Sequence, residues 1–297
     1  MLPSIDALRC FVAASKHLNF RKAARTVALT PSAFGQRIKQ LETELGTVLF
    51  LRTTRSVALT EAGLSLLPHA TKCLDAAIEC SRAVRGEAGP PPMELVVGTR
   101  HELGISWLVP ELDALGAALP HVRFDVYFGS GPDLLLRTRT LEIDCAVTSS
   151  RLVDPKLDSF RLHREDYVFV GSAKLLKSDP VTKPQHAKAH TLLDISAELP
   201  LFHYFRDAPG GWDSMEFSAV RTLGTIEAIR QRVVAGAGIA VLPEYLMRPD
   251  LKAGRVRKIL PSVRPIHDYF RLVFRADDPR KTTYEALARA LLAVPLR

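Results

Sequence analysis

The chain has 297 residues, of which 47% are hydrophobic, enough for two or three folded units with sizeable cores. No apolar run is long and uncharged enough to act as a secretory signal or to span a membrane. The four cysteines show neither a CxxC pair nor a cluster at metal-ligand spacing: Cys10, Cys73, Cys80 and Cys145. We therefore expect a cytoplasmic protein with reduced thiols, without a metal site and without a cofactor.

The formal net charge of +8 is concentrated near the N-terminus. Residues 1–60 contain nine Lys or Arg and three Asp or Glu, a net charge of +6, which leaves +2 for the rest. A basic unit on a nearly neutral body favours a polyanionic partner, of which nucleic acid is the commonest. A solvated basic face without any partner would produce the same charge distribution.

Three amphipathic segments predict three helices in this basic unit. Ser4 can cap a first helix that ends near residues 17–18, and a shorter helix follows at about residues 20–27. Thr30 followed by Pro31 is typical of an N-cap and a first helical residue. The third helix then has one apolar face, formed by Phe34, Ile38, Leu41 and Leu45. The short connection between the second and third helices is typical of a helix-turn-helix.

Two short apolar runs after this helix, at residues 48–50 and 57–59, enclose a basic turn and predict a β-wing. In a winged helix-turn-helix, the third helix enters the major groove and the wing contacts phosphates or the minor groove. We expect the groove-facing residues to be Ser32, Ala33, Gln36 and Arg37, with Lys39 on the same polar face. Arg52 and Arg55 are the expected wing contacts.

A fourth helix is predicted from Thr60-Glu61 to about residue 84. Its near-heptad stripe favours helix–helix dimerisation, although packing within its own chain would also explain it: Leu64, Leu67, Leu74 and Ile78. Pro68 is expected to kink this helix or to restart it. Gly86 and the prolines at 90–92 then predict the helix end and a semi-rigid spacer.

From Met93 onward, strands and helices alternate, which predicts an α/β domain with a parallel sheet. The predicted strands cover residues 94–97, 122–128, 143–147, 167–170, 201–204, 216–221, 239–242 and 270–274. The predicted helices cover residues 104–119, 133–138, 225–235 and 283–293. Residues 175–198 show no clear pattern. Irregular segments near Arg164 and Val263 suggest two lobes, with a ligand cleft outside the carboxyl ends of the strands.

The first 65 residues closely resemble the LysR-type transcriptional regulators of bacteria. The motifs FVA, the alanine pair, I-x-x-LE-x-x-LG, LF-x-R-T and LTEAG occur in the family's order, and VVAGAGIAVLP at 233–243 extends the resemblance to the second domain. Two positions depart from the family pattern. Pro31 stands one position earlier than the usual proline, and Gly35 replaces a serine, which places a flexible residue inside the helix at a cost of about 0.5–1 kcal/mol.

The resemblance implies a winged helix-turn-helix at 1–60, a linker helix at 61–86, a hinge at 87–92 and an effector-binding domain at 93–297. That domain would be periplasmic-binding-protein-like, with one lobe at about 93–164 and 264–297 and the other at about 165–263. The protein would be a homotetramer assembled partly through linker-helix dimers, and its partners would be double-stranded promoter DNA and a small-molecule effector. Carried over by position, Gln36 and Arg37 would contact base edges, Thr30 and Ser32 would lie nearer the phosphates, and Arg52 would contact the backbone.

Five residues are candidates for effector binding. Thr99 and Arg100 follow the first strand of the second domain, where the amide groups that open a helix favour an anion. Ser149 follows the strand that ends at residue 147, His203 lies in the predicted strand 201–204, and Thr225 opens a helix. Because Arg100 and His203 can be cationic, we expect an anionic effector, in particular a small carboxylate.

Two other classes of function compete with a DNA-binding regulator. A two-lobed α/β enzyme would need catalytic machinery, but the sequence contains no GxGxxG, P-loop or G-x-S-x-G motif and no metal-ligand cluster. A solute-binding module would need export, for which no signal is present. We therefore expect no enzymatic activity and no catalytic residues.

Overall fold

A computed structural model describes residues 2–53, 56–86, 89–211 and 215–296 of the chain. By their internal contacts, the residues fall into two units. The first unit comprises Met1–Arg100, Glu111–Phe160 and Leu272–Ala293. The second comprises His101–Pro110, Arg161–Arg271 and Val294–Arg297. None of the described helices is both long enough and apolar enough to cross a membrane.

The N-terminal part of the first unit begins with the three predicted helices. These are α1 (Ile5–His17), α2 (Phe20–Thr26) and α3 (Pro31–Leu45). The Ser4 hydroxyl accepts a hydrogen bond from the Ala7 amide, and the Thr30 hydroxyl accepts one from the Ala33 amide at 3.2 Å. Both predicted caps are therefore confirmed. Gly46, with φ of +67°, ends α3.

The three helices enclose an aromatic core. Phe11, Phe34 and Phe50 are fully buried or nearly so, and the Phe20 ring meets the Phe34 and Phe50 rings edge-on at centroid distances of 5.5 and 5.4 Å. Ala23 and Ala24 are both completely buried. Their small side chains let α2 lie close to its neighbours, as a helix-turn-helix requires.

The predicted wing is present as two antiparallel strands, β1 (Phe50–Arg52) and β2 (Val57–Leu59). Strand β1 begins two residues later than predicted. The reason is that the amide of Leu49 donates its hydrogen bond to the Glu42 carboxylate of α3 instead of to a strand partner. The helix that follows starts close to the wing: a Cβ atom on Gly63 would collide with the Leu49 carbonyl oxygen, so only glycine fits there.

Helix α4 (Glu61–Arg85) begins at Thr60, whose hydroxyl accepts a hydrogen bond from the Gly63 amide at 3.0 Å. It runs through Pro68 without interruption, so of the two predicted alternatives, a kink or a restart, the restart is wrong. Its leucine stripe packs against the helical core of its own chain, with Leu64 buried and Leu67 and Leu74 partly buried. The intrachain alternative therefore accounts for most of the stripe that had suggested dimerisation.

The remainder of the first unit is built on a five-stranded sheet. Its strands are β3 (Met93–Thr99), β4 (Val122–Phe128), β5 (Cys145–Thr148), β6 (Leu157–Glu165) and β12 (Asp268–Arg275), in the order β4-β3-β5-β12-β6. β3 pairs in parallel with both β4 and β5, as predicted. β6 and β12 each continue into the second unit. The associated helices are α6 (Leu112–Ala118), α7 (Gly131–Arg139) and α12 (Lys281–Ala293).

The second unit contains another five-stranded sheet. Its strands are β7 (Tyr167–Ser172), β8 (Thr191–Asp194), β9 (Ala219–Thr222), β10 (Ile239–Pro243) and β11 (Val256–Lys258), in the order β11-β7-β10-β8-β9. β8 is parallel to both β9 and β10, but β7 is antiparallel to β10 and β11. The prediction of a parallel sheet is therefore wrong for β7. The helices are α5 (His101–Leu103), α8 (Ala173–Ser178), α9 (His203–Arg206), α10 (Ile226–Val234) and α11 (Glu244–Lys252).

Several local predictions need correction. The predicted helix 104–119 is broken into a π-helical turn at Gly104–Leu108, a 3₁₀ turn at Val109–Glu111 and α6, because Pro110 has no amide hydrogen and disfavours helical geometry before it. The predicted strand 201–204 is wrong, since His203 opens the short helix α9. Elements missed by the sequence patterns are β6, α8, β8, α11 and β11.

Candidate functional site

The third helix presents a polar face outside the core of the winged domain. Ser32, Ala33, Gln36 and Lys39 are exposed, while Arg37 is half-buried at the side of this face. Gly35 lies between Ser32 and Gln36, and a Cβ atom there would meet nothing within 4 Å. The predicted groove-facing residues therefore share one accessible surface of α3, and Gly35 lets another molecule approach its backbone closely.

The cations of the winged domain differ in whether they have an acidic partner. Arg9 pairs with Asp6, Lys16 with Glu94 and Arg52 with Glu42. Five others form no ion pair among the residues that the structure describes: Arg21, Lys22, Arg25, Arg37 and Lys39. All five belong to α2 and α3. The positive charge available to an anionic partner is thus concentrated on the helix-turn-helix.

Arg37 could in principle have been neutralised by an acid of its own helix. The acids of α3 have other partners. Glu44 accepts a hydrogen bond from the Gln40 side chain at 2.9 Å, and Glu42 accepts one from Arg52 of the wing. Two turns of helix separate Arg37 from Glu44, and Glu42 is not at a facing position. The guanidinium of Arg37 is therefore available for an external contact.

Arg52 has a different environment. Its Nη2 atom lies 2.8 Å from a Glu42 carboxylate oxygen, and its guanidinium stacks over the Phe20 ring at 4.6 Å. The other Glu42 oxygen accepts hydrogen bonds from the amides of Leu49 and Phe50 at 2.9 and 3.2 Å. Arg52 thus helps to fix the wing on α3. The other predicted wing contact, Arg55, lies outside the described residues.

In the sheet domain of the first unit, hydroxyl groups collect where parallel strands end. Thr99 ends β3 and lies opposite Phe128 of β4 and Val147 of β5, so the carboxyl ends of the three strands share one edge of the sheet. Thr99 is completely buried, Ser149 is nearly so, and Arg100 is half-buried. The structure therefore brings these three predicted residues to the same edge.

The same edge carries polar residues that the sequence patterns did not single out. Ser130 follows β4 and caps α7, and the Thr148 hydroxyl donates a hydrogen bond to the Ser150 hydroxyl at 3.1 Å. A Cβ atom on Gly131 would collide with that Ser150 hydroxyl. The signal for these residues was a small or hydroxyl-bearing residue immediately after each predicted strand.

In the second unit, the loop before His203 is organised by the buried carboxylate of Asp194. It accepts hydrogen bonds from the amides of Ile195, Leu201 and Phe202 at 2.7, 3.2 and 2.9 Å. Burial raises the pKa of this carboxyl group, while the three amide donors act to lower it. Because Leu201 and Phe202 donate to Asp194, they cannot form the predicted strand, and His203 sits in α9 instead.

Thr225 is the N-cap of α10, as predicted, and its hydroxyl accepts a hydrogen bond from the Ala228 amide at 3.2 Å. The preceding amide of this helix, that of Glu227, donates to the Glu102 carboxylate, also at 3.2 Å. Among the residues described, no group of three or more His, Cys, Asp or Glu is arranged to hold a metal ion.

Two family models match the chain. The model described as a bacterial regulatory helix-turn-helix protein of the lysR family matches residues 5–64, and the model of the LysR substrate binding domain matches residues 88–295. Among curated proteins, the glycine cleavage system transcriptional activator of Escherichia coli K12 is 28% identical over 256 residues, which are 86% of this chain and 82% of that protein. The regulator GltR of Bacillus subtilis 168 is 28% identical over 259 residues, or 86% and 84% of the two chains.

Solved structures show the same fold over the full chain. ArgP from Mycobacterium tuberculosis has a TM-score of 0.75 at 21% identity, with 99% of each chain covered. A full-length variant of OxyR from Pseudomonas aeruginosa has a TM-score of 0.73 at 21% identity, with 100% of this chain and 97% of that chain covered. The helix-turn-helix model matches the N-terminal part of the chain, and the substrate-binding-domain model matches the part that follows it. The chain therefore belongs to the LysR family of bacterial transcriptional regulators.

Proposed function

We propose that this ligand-responsive transcriptional regulator reads promoter DNA with Gln36 and Arg37 at base edges and holds the phosphates with the other unpaired cations of α2 and α3. The observation that carries this proposal is the distribution of ion pairs in the winged domain. The described cations outside the helix-turn-helix are neutralised by neighbouring acids, whereas Arg21, Lys22, Arg25, Arg37 and Lys39 have no such partner among the described residues.

The remaining predicted contacts are assigned by position. Thr30 and Ser32 lie at the N-terminus of α3, where hydroxyl and amide groups suit a phosphate, and Ala33 offers a methyl group to the groove. For Arg52 we propose a backbone contact made while its guanidinium remains anchored between Glu42 and Phe20. Arg55 would reach the same backbone from the wing.

A gel-shift titration on the DNA upstream of the coding sequence tests this proposal. We expect specific binding whose affinity falls with salt at a log–log slope of about −0.9 per phosphate neutralised. Arg37→Ala should reduce the preference for the specific site by about 1–3 kcal/mol, because a base-edge contact is lost. Arg52→Ala should weaken specific and random DNA alike.

Arg9→Ala is the matched control, since it removes the same charge from a residue of α1 that is paired with Asp6. It should change affinity far less than Arg37→Ala. Equal binding of the upstream region and random DNA would contradict the regulatory proposal. Equal losses in Arg9→Ala and Arg37→Ala would contradict the assignment of Arg37.

For the effector we propose a small carboxylate that contacts Thr99, Arg100 and Ser149 at the hydroxyl-rich edge of β3 and β5. Support comes from the hydroxyl donors at that edge and from the positive charge of Arg100. His203 and Thr225 remain the candidate contacts in the second unit. The structure of LysG from Corynebacterium glutamicum contains bound effector Arg, a molecule with a carboxylate, at 21% identity and a TM-score of 0.68. Tight calorimetric binding of a neutral or cationic inducer, with no competition from carboxylates, would contradict the proposal.

We also propose that the protein works in the cytoplasm as a dimer through α4 and as a tetramer of two such dimers, without enzymatic activity. Effector binding would change the arrangement of the dimers and thus the spacing of their DNA-binding domains. A coupling of about 1–3 kcal/mol between effector and DNA would already change operator occupancy 5- to 150-fold.

A further inference from the structure

The first unit contains a cavity of about 260 Å³ between its helical N-terminal part and its sheet domain. Helix α1 contributes Ser15 to the wall, α4 contributes Thr71, and the sheet domain contributes Asp144 and Arg280. At about 30 Å³ for each water molecule, this volume corresponds to about nine waters and suits a ligand with roughly that number of non-hydrogen atoms. The apolar part of the wall is formed by six side chains: Val12, Leu67, Pro68, Val96, Leu141 and Pro279.

The cavity and the hydroxyl-rich edge lie at opposite ends of the same strands. In the wall of the cavity, Glu94 belongs to the first half of β3, and Asp144 immediately precedes β5. At the hydroxyl-rich edge, Thr99 is the last residue of β3, and Ser149 immediately follows β5. Glu94 and Thr99 are five residues apart in an extended strand, a distance of about 17 Å. A small molecule in the cavity therefore does not reach the proposed effector contacts, and both places can be occupied at once.

The guanidinium of Arg280 in the wall of the cavity is already engaged by two carboxylates. Its Nε and Nη2 atoms donate to Asp278 at 3.0 and 2.7 Å, and its Nη1 atom donates to Asp144 at 2.7 Å. Asp144 accepts one further hydrogen bond, from the Val96 amide, so about two of its roughly four lone-pair sites remain open. Asp144 can therefore accept hydrogen bonds from a ligand.

The other polar side chains of the wall also have partners for their hydrogens. The hydroxyls of Ser15 and Thr71 each donate to a carbonyl oxygen of their own helix at 2.9 Å. The ammonium of Lys16 is paired with Glu94. A hydroxyl that donates in this way still has an oxygen lone pair to offer. The wall therefore favours a ligand that donates hydrogen bonds over one that accepts them.

The end of the cavity at Arg280 has an excess of negative charge. Two carboxylates, those of Asp144 and Asp278, share this one guanidinium, which leaves a net charge of −1. Asp75 of α4 lies one helical turn beyond Thr71, is half-buried and forms no ion pair among the residues that the structure describes. Burial raises the pKa of Asp75, and the nearby charge of Arg280 acts to lower it. In its ionised form, Asp75 adds a further negative charge to this end.

We propose that this cavity is a second small-molecule site and that it binds an apolar primary amine as its ammonium cation. The ammonium group donates to Asp144 at the negatively charged end, and the hydrocarbon part lies among the six apolar side chains. Hydrogen bonds between ionised groups are about twice as strong as neutral ones, so the charge of the ligand contributes to its affinity. A carboxylate is disfavoured, because Lys16 and Arg280 are already paired with acids.

Calorimetry on the full-length protein with 2-phenylethylamine tests this site, since that amine matches the cavity in size. Its neutral counterpart is 2-phenylethanol, which has the same shape and no charge. We expect the amine to bind about tenfold more tightly than the alcohol, the difference between a charged and a neutral hydrogen bond. An excess of phenylacetate should not displace the amine. The amine should also raise the thermal midpoint of the protein, because it binds the native state.

Two variants of α4 locate the bound amine. Thr71→Met extends a longer side chain into the cavity and should weaken amine binding by about tenfold or more, because filled volume excludes the ligand. Ser65→Met is the matched control, since Ser65 is an exposed residue of the same helix outside the cavity, and it should bind the amine as the wild type does.

Asp75→Asn tests the charge without changing the shape of the cavity. It should weaken binding of the amine by about fivefold and leave the affinity for the alcohol unchanged, because only the cation interacts with the lost charge. Asp75 has no ion pair to lose among the described residues, so this variant provides a test even if Thr71→Met does not fold. Thr99→Val, a change at the hydroxyl-rich edge, should not affect amine binding.

Several results would overturn the proposal. These are the absence of both binding heat and a thermal shift at millimolar amine, equal affinities for the amine and the alcohol, and full amine binding in a folded Thr71→Met protein. Loss of amine binding in Thr99→Val would instead place the ligand at the hydroxyl-rich edge and would equally overturn the site. None of these results bears on the regulatory proposal, which is tested by DNA binding.

Discussion

Replacement of Glu42 by alanine is expected to destabilise the winged domain by about 2–4 kcal/mol, because two buried amide groups lose their acceptor and an ion pair is lost. The Glu42 side chain is only 14% exposed. Its carboxylate joins α3 to the wing through the amides of Leu49 and Phe50 and the guanidinium of Arg52.

Hydrogen exchange on the full-length protein can measure this effect locally. Peptides that cover α3 and β1 should exchange about 30-fold faster or more in Glu42→Ala, the factor that corresponds to 2 kcal/mol. Glu44→Ala is the matched control, since Glu44 accepts a hydrogen bond from the exposed side chain of Gln40 and its replacement should cost less than about 0.5 kcal/mol. Equal protection of the wing in the two variants would show that Glu42 does not hold it.

Replacement of Arg280 by methionine should destabilise the first sheet domain by about 3–5 kcal/mol, since removal of one partner leaves buried charge uncompensated. The Arg280 side chain is 18% exposed and lies 2.7 Å from both Asp144 and Asp278. Asp278 is almost completely buried and also accepts a hydrogen bond from the Tyr284 hydroxyl at 2.9 Å. Burial raises the pKa of Tyr284, so its hydroxyl stays protonated and donates this hydrogen bond to Asp278 as a neutral group.

The loss of stability should extend to β3 and β5, the strands whose ends form the hydroxyl-rich edge. Asp144 uses its second oxygen to accept a hydrogen bond from the Val96 amide of β3 at 2.7 Å, immediately before β5 begins. Peptides from β3 and β5 should therefore lose protection from hydrogen exchange, and the thermal midpoint of the full-length protein should fall.

Lys281→Met is the control for this prediction, because its ion pair with Asp158 is exposed and should contribute less than about 1 kcal/mol. A double variant, Asp278→Asn with Arg280→Met, should recover part of the lost stability by removing the uncompensated charge. If the double variant is as unstable as the sum of its single changes, the loss arises from packing and not from charge.

Much of the winged domain could be predicted from sequence because its determinants are local. Ser4, Thr30 and Thr60 each cap a helix through an amide three residues ahead, and such contacts depend on spacing alone. The apolar face of α3 follows the helical period in the same way. The resemblance to LysR-type regulators rested on these same residues, and both family models bear it out.

The errors fall where a distant residue determines local structure. Residues 201–204 have an apolar pattern typical of a strand. However, the Asp194 carboxylate accepts hydrogen bonds from two of their amides, and α9 forms instead. The leucines of α4 have the spacing of a dimer seam, but α1 and its neighbours in the same chain cover most of them. Periodicity identifies an apolar face and cannot identify what covers it.

The sequence by itself determined the helix-turn-helix, the caps of its helices and the excess of positive charge at the N-terminus, since each depends on residues within a few positions of one another. Only the tertiary structure decided which cations remain without an acidic partner, and that Glu42 connects α3 to the wing. It also decided that three strand ends bring their hydroxyl groups to one edge. These features depend on side chains that are far apart in the chain and meet only when the core has formed, because long-range contacts are set by packing and not by local spacing.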